Sequence, residues 1–307
     1  MKYLLYLFLS LSLVACTSYG SNTTTSTASR SIDFAVFGDY WYQGEAELNS
    51  YDLEQYRYGE KREGEAVLIF VTEDLSRKKQ VKLDNPQVNE EDAQKVLKLN
   101  MTKKFVTGIY PYSMMLSVFT PVYDSIPAVK ITASSQEWCG HTFTQLNRQE
   151  GKYNAQLLSY FEKESDQRMT IYAMPEDNLW TLLRLHPNQV PTGEVRLIPG
   201  LLDQRLTHEE LKAEKALITT VQAPEGMAGF AAEELRVLTV KYTDYPRELR
   251  IFYTAAFPFE IAGWDEVRLL DAGEREVSRA TRKGKLISDY WKQNSTRFEP
   301  LRQELQL

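Results

Sequence analysis

Ala128-Val129-Lys130-Ile131-Thr132-Ala133-Ser134-Ser135-Gln136-Glu137, followed by runs at His141 to Asn147, Tyr153 to Phe161 and Arg168 to Tyr172, is the stretch that decides the fold class. Apolar and polar residues alternate along these runs, which is the period of a strand with one face buried. Gly151-Lys152 sits between two of the runs and supplies a hairpin turn. Successive strands joined this tightly form an antiparallel meander.

The same texture extends in both directions. Upstream, Gly44 to Leu53 predicts a strand with Ala46, Leu48, Ser50 and Asp52 on one face. Tyr58 to Gly64 is polar and predicts a turn, and Glu65 to Thr72 predicts a buried strand. Gln80 to Leu83 is short, stopping before Asn85-Pro86; Val96 to Met101 and Phe105 to Phe119 follow, with Gly108 and Pro111 marking a bulge or bend. Downstream, Pro175 to His186 opens with a proline and acids and continues with apolar residues at helical spacing. It predicts a short amphipathic helix closed by Pro187. Strands resume at Gly193 to Ile198, Glu214 to Val221, Glu234 to Tyr242, Leu249 to Ala255, Phe259 to Ala262 and Glu276 to Lys283, and Ile287 to Trp291 predicts a closing helical turn. No internal repeat or Pro/Gly linker divides the body. The expectation is one mainly-β domain over residues 31–307: a large antiparallel curved sheet, half-barrel-like, with one or two short capping helices.

The N-terminal segment is of another kind. Lys2 precedes an apolar run, Leu4 to Val14, that is too short to cross a bilayer, which takes about 20 apolar residues. This is the shape of a signal peptide over residues 1–15. Leu13-Val14-Ala15-Cys16 resembles a lipobox, which implies that the Cys16 thiol becomes a diacylglyceryl thioether before cleavage. The alternative is a plain secretory peptide cut after Ala15. Thr17 to Ser29 carries no charge and almost no apolar side chain, so residues 16–30 are expected to form a flexible lipidated tether.

The net charge of −6 and the lack of a basic stripe argue against a nucleic-acid partner. The chain has 2 cysteines, so anchoring Cys16 leaves Cys139 without an intramolecular disulfide partner. Eighteen tyrosines, 13 phenylalanines and 5 tryptophans suit an extended sheet or a lined cavity.

The candidate chemistry lies in Glu137-Trp138-Cys139-Gly140-His141. On a regular strand Glu137, Cys139 and His141 share one face. A thiol beside an imidazole is a nucleophile–base pair, and the same trio suits a metal. The competing expectation is a half-buried cysteine, with His141 serving a neighbouring polar group and Gly140 breaking the alternation. His186 and His208 stand apart and are expected as surface or cap residues. Trp180, Leu182, Leu183 and Leu185 are expected in the core or in a lid, and Glu90-Glu91-Asp92 and Glu209-Glu210 on solvated faces or at helix starts. No cofactor is expected.

Phe37-Gly38-Asp39-Tyr40-Trp41-Tyr42-Gln43-Gly44-Glu45-Ala46-Glu47, Phe70-Val71-Thr72-Glu73-Asp74, Lys79-Gln80-Val81-Lys82-Leu83-Asp84 and Trp138-Cys139-Gly140-His141-Thr142 resemble a family of uncharacterised Bacteroidetes lipoproteins, along nearly the full mature length. Its members are often labelled "septum formation inhibitor Maf". Maf pyrophosphatases carry an N-terminal Ser-x-Ser-Pro-Arg-Arg motif that is absent here, so no catalytic residue carries over. Lipoproteins of this kind that go to the cell surface bear acidic residues after the lipidated cysteine. This tether has none, which implies an outer-membrane anchor facing the periplasm. The strand count and spacing are similar, more loosely, to the half-barrels of lipoprotein carriers.

Three functions stay open. The first is a non-enzymatic binding module whose curved sheet takes an apolar ligand or a lipoprotein, anchored to the membrane through Cys16. The second is a periplasmic assembly or scaffold partner of another envelope protein. The third is a thiol hydrolase using Cys139 and His141. An apolar cavity favours the first, a packed interior with exposed apolar residues the second, and a thiol–imidazole contact the third.

Overall fold

The first strand of the chain lies at the middle of the sheet. In the computed structural model, which describes residues 34–307 except 165, 271 and 272, β1 (Ala46–Arg57) pairs with β2 (Glu60–Ser76) on one side and with β15 (Arg275–Ser288) on the other. The chain divides into two units, Met1–Ser31 and Ile32–Leu307, and the described residues lie in the second. The expected signal peptide, lipobox and tether fall outside the described residues.

From β1 the chain meanders outward through β3 (Ala93–Thr107), β4 (Tyr110–Pro121), β5 (Lys130–Glu137), β6 (Gly140–Gln149) and β7 (Lys152–Ser159) to β8 (Gln167–Ile171) at one edge. It restarts at the opposite edge with β9 (Met174–Pro175) and β10 (Gly193–Ile198). It returns through β11 (Glu214–Gln222), β12 (Leu235–Tyr242), β13 (Arg247–Thr254) and β14 (Ile261–Leu269) to β15, giving one 15-stranded sheet. Only Tyr172 and Ala173 separate the two edge strands. Three Cα steps span at most about 11 Å, so the sheet must curl until its edges approach at that point, without closing. The fold is therefore mainly β and strongly curved, as its sequence predicts. It departs from the expectation at the β9–β10 junction, where the pairing is parallel and makes the sheet mixed. A strand entering from the far edge runs in whatever direction the crossover leaves it.

The helices also differ from the expected caps. Besides α2 (Asn178–Leu185), the described residues form α1 (Phe34–Trp41), α3 (Leu201–Thr207) and a short α4 (Leu301–Glu304). Helix α2 is no lid. Leu179, Trp180, Leu183 and Leu185 are all buried, and the helix packs on β3 and β4 while α3 packs on β4 and β5. The two helices occupy the hollow of the curved sheet. Trp180 meets the Trp264 ring edge-on at 5.3 Å, and Tyr51 packs on the same tryptophan at 4.9 Å. Asn178 pins the start of α2 to the opposite wall, its Oδ1 accepting from Thr120 Oγ1 at 3.0 Å and from the Ala128 N–H at 2.7 Å.

An ion pair lies inside this core. Arg184 donates to Glu47 through Nη1 and Nη2 at 2.6 and 2.8 Å, both side chains being inaccessible to solvent. Its guanidinium lies over the rings of Phe70 and Trp41 at 4.5 and 5.0 Å, and its Nε donates to the Pro258 carbonyl. Glu47 also accepts from Asn49 and Tyr40. Burial pushes the Glu47 carboxyl up, but the Arg184 charge and hydrogen bonds outweigh it and hold the group at about 2.

The face Ala46, Leu48, Ser50, Asp52 holds, because β1 pairs with β2 without a register shift and the bulge in the β1–β15 pairing lies on β15, at Lys283; Tyr51 and Leu53 occupy the other, inner face. Two local expectations need correction. Glu60 to Gly64 is strand rather than turn; its charges pair across the hairpin, as Lys61 does with Glu54 at 2.8 Å. Gly108 lies in the tight β3–β4 turn and marks no bulge.

Candidate functional site

Consecutive hairpins bring a set of aromatic and aliphatic side chains to one end of the sheet. The β1–β2 turn is Tyr58-Gly59, with φ of 57° and 75°, the left-handed pair that a two-residue hairpin turn requires. The β3–β4 turn presents Ile109 and the β5–β6 turn presents Trp138. Tyr160 follows β7. These four are 60, 83, 68 and 68% exposed respectively, far above what packing would leave. Tyr110 links neighbouring tips: its hydroxyl is 3.2 Å from that of Tyr58, and its ring is 6.4 Å from Trp138. Gly140 lies beneath Tyr160, where a Cβ would sit 2.4 Å from the ring. The result is a row of apolar tips along one rim.

Behind this rim, α3 carries polar residues into the mouth of the curved sheet. Arg205 is ion-paired with Glu137 and lies over the Phe161 ring at 4.5 Å. His208 caps α3 in the left-handed conformation, φ 59°, and contacts both Arg205 and Glu164. His186 likewise caps α2, so both histidines are the cap residues that their isolated positions predict.

Deeper still lies a second charged network. Arg247 contacts Glu176 at 2.7 Å, Asp203 at 3.0 Å and Glu266 at 3.5 Å, and Lys103 completes it at 2.6 Å from Glu266. Tyr242 and Tyr245 donate to Glu176 and Asp203. Burial raises the Glu266 carboxyl, but Lys103 and Arg247 outweigh it and bring it below the usual range. Asp177 makes no ion pair among the described residues, and the Arg247 charge lowers it less than burial raises it. Its Oδ2 accepts from the Leu201 N–H at 3.0 Å, yet burial, and then the neighbouring Glu176 charge, push it up to about 7.

Two cavities open on either side of His208. One, of 360 Å³, is bounded by Gln55, Arg57, Asp203, Arg247, Glu266 and Glu276, among others; the other, of 530 Å³, is bounded by Phe161, Lys163, Glu164 and Glu209, among others. Both are lined with charges.

The trio Glu137, Cys139 and His141 does not share a face. Trp138-Cys139 is a two-residue turn, Glu137 pairs with Gly140, and Gln136 pairs with His141. Paired residues lie on the same face and successive residues alternate, so Glu137 points to the inner side and His141 to the outer. Cys139 is exposed at the tip, and no hydrogen bond joins it to His141. Gly140 breaks the alternation by ending the turn. No group of three His, Cys, Asp or Glu able to hold a metal occurs among the described residues. Asp92 also departs from the expected solvated face: it is 5% exposed and accepts from Ser76 and the Lys78 N–H.

Several residues of the mouth were not singled out by sequence reasoning, among them Arg57, Asp203, Arg205 and Arg247. One signal was available. Gly200-Leu201-Leu202-Asp203-Gln204-Arg205-Leu206 has leucines spaced for one helix face, with an acid early and a base late. No family model, curated protein or solved structure matches the chain.

Proposed function

We propose that this chain is a lipid-anchored, non-enzymatic module of the cell envelope that docks another envelope protein through its rim of hairpin tips. One observation carries the reading: the hollow of the curved sheet is filled by α2 and α3, while Tyr58, Ile109, Trp138 and Tyr160 stand exposed at one end. An interior occupied by Trp180 and by the Glu47–Arg184 pair leaves no room there for an acyl chain. The two cavities beside His208 are lined with charges, which strands an apolar ligand there beside groups that need water or partners. Exposed tyrosine and tryptophan on rigid turns are the residues that anchor protein interfaces. The separation of Cys139 from His141 removes the motive for a hydrolase. Cys16 tethers the domain to the outer membrane on its periplasmic side.

Replacing Ile109, Trp138 and Tyr160 together by serine tests the reading. These side chains contribute little to folding, so the thermal midpoint stays within a few degrees while an envelope protein that co-purifies with the parent chain is lost. Retention of the same partner by the triple variant contradicts the assignment of the rim.

A further inference from the structure

We propose that the 360 Å³ cavity between the β1–β2 tip, β14, β15 and α3 is a binding site for a small zwitterionic ligand of the amino-acid or short-peptide class. The cavity shares Tyr58 with the docking rim, but the triple rim variant leaves Tyr58 in place, so either reading can fail without the other. The volume falls in the range of small-molecule sites. Three of the charged wall residues are already satisfied: Arg247 contacts Asp203 and Glu266, and Lys103 compensates Glu266 from behind.

What remains is unbalanced in a specific way. Arg57 donates to the Leu206 carbonyl and to the hydroxyls of Tyr58 and Tyr112 at 3.2 and 3.5 Å and lies over both rings, but no carboxylate lies within 4 Å of it among the described residues. Glu276 is half-buried and likewise has no cation within ion-pair distance, although Arg268 is its cross-strand neighbour. Gln55 is 4% exposed; its Nε2 donates to Ser278 Oγ at 2.9 Å, but its Oε1 has no donor. One cavity thus holds a cation without an anion, an anion without a cation and a buried acceptor without a donor.

A ligand with a carboxylate at one end and an ammonium at the other answers the two charges: the carboxylate meets the Arg57 fork and the ammonium meets Glu276. A phosphate dianion would face Asp203, Glu266 and Glu276, and a neutral apolar ligand would leave both charges unmet.

Isothermal titration of the full chain in detergent micelles tests the site, with dialanine, its N-acetyl form and its C-terminal amide as probes. The uncapped dipeptide should bind saturably, and each cap should weaken binding about tenfold or more, the scale of losing one charged contact. Glu276→Gln should erase the discrimination against the acetylated probe, and Arg57→Gln the discrimination against the amide. Glu276 makes no ion pair or side-chain hydrogen bond among the described residues, so its variant folds and keeps the test decisive even if Arg57→Gln is unstable. Absence of binding up to about 10 mM, equal binding of capped and uncapped probes, or tighter binding of inorganic phosphate overturns the proposal.

Discussion

Replacing Arg184 with methionine should destabilise the domain by about 3 kcal/mol, the lower end of the cost of breaking a buried pair. Glu47 would be left 1% exposed and without its bidentate partner. The estimate sits at the lower end because Tyr40, Asn49 and, at 3.7 Å, Lys285 still face the carboxylate. Methionine fills the volume between Phe70 and Trp41, so little of the loss is cavity. The pH dependence separates this explanation from simple packing damage. In the parent chain Glu47 titrates near 2, below its ordinary value of 4.5. A depressed carboxyl contributes stability that is complete above its unfolded pKa and is lost as pH falls toward the folded one, here on the order of 3 kcal/mol between about pH 4.5 and 2. Without Arg184, burial dominates and raises the group, so the variant should gain stability on mild acidification. Replacing Glu47 by leucine in the same chain should recover most of the loss. Urea unfolding followed by tryptophan fluorescence reads the parent and both variants. A loss below about 1 kcal/mol for Arg184→Met, or a variant with the same acid sensitivity as the parent, refutes the reasoning.

Other consequences can be checked separately. Asp177 is raised from 3.8 to about 7, so its ionisation penalises the fold; stability should decline as pH rises from about 4 to 7 and level off above, and Asp177→Asn should remove a penalty on the order of 4 kcal/mol above pH 7 while matching the parent near pH 4. Chemical denaturation across that pH range measures the difference. Gly140→Ala should displace Tyr160 from the rim and cost about 1–3 kcal/mol through the clash, with a thermal scan reporting the loss and the Tyr160 amide resonance reporting the shift. Cys16→Ser should release the chain from the membrane pellet, because it removes the thiol that would carry the diacylglyceryl anchor, and carbonate fractionation reads the outcome.

Much of the fold was legible because alternation is a local signal. The strands from Lys130 to Ile171 and the helix at Asn178–Leu185 follow from period and turn residues alone. What the local pattern could not carry is which strands meet. The pairing of β1 with β15 joins residues more than two hundred positions apart, and the approach of the two edges follows from the brevity of Tyr172-Ala173, a constraint visible only once the strand order is known. The bulge in the β1–β15 pairing leaves Lys283 of β15 without a partner opposite Ser50 and Tyr51, and no local pattern announces it. Polarity misled at Glu60 to Gly64, where a hairpin runs out into solvent and stays paired. At the candidate site, Glu137 was found but its companions were wrong. A two-residue turn at Trp138-Cys139 reverses the face, and the partner it acquires, Arg205, comes from a helix 68 residues away. Charged networks such as Arg247 with Glu176, Asp203 and Glu266 draw on three distant segments and leave no local signature.

The most direct test of the docking rim is photo-crosslinking in intact cells, with a crosslinking amino acid placed in turn at Ile109, Trp138 and Tyr160, and at Val88 and Trp291 as exposed controls away from the hairpin tips. The account predicts one discrete protein adduct, shared by the three rim positions and absent from both controls. Adducts of equal yield at rim and control positions, or adducts to lipid alone, would contradict it.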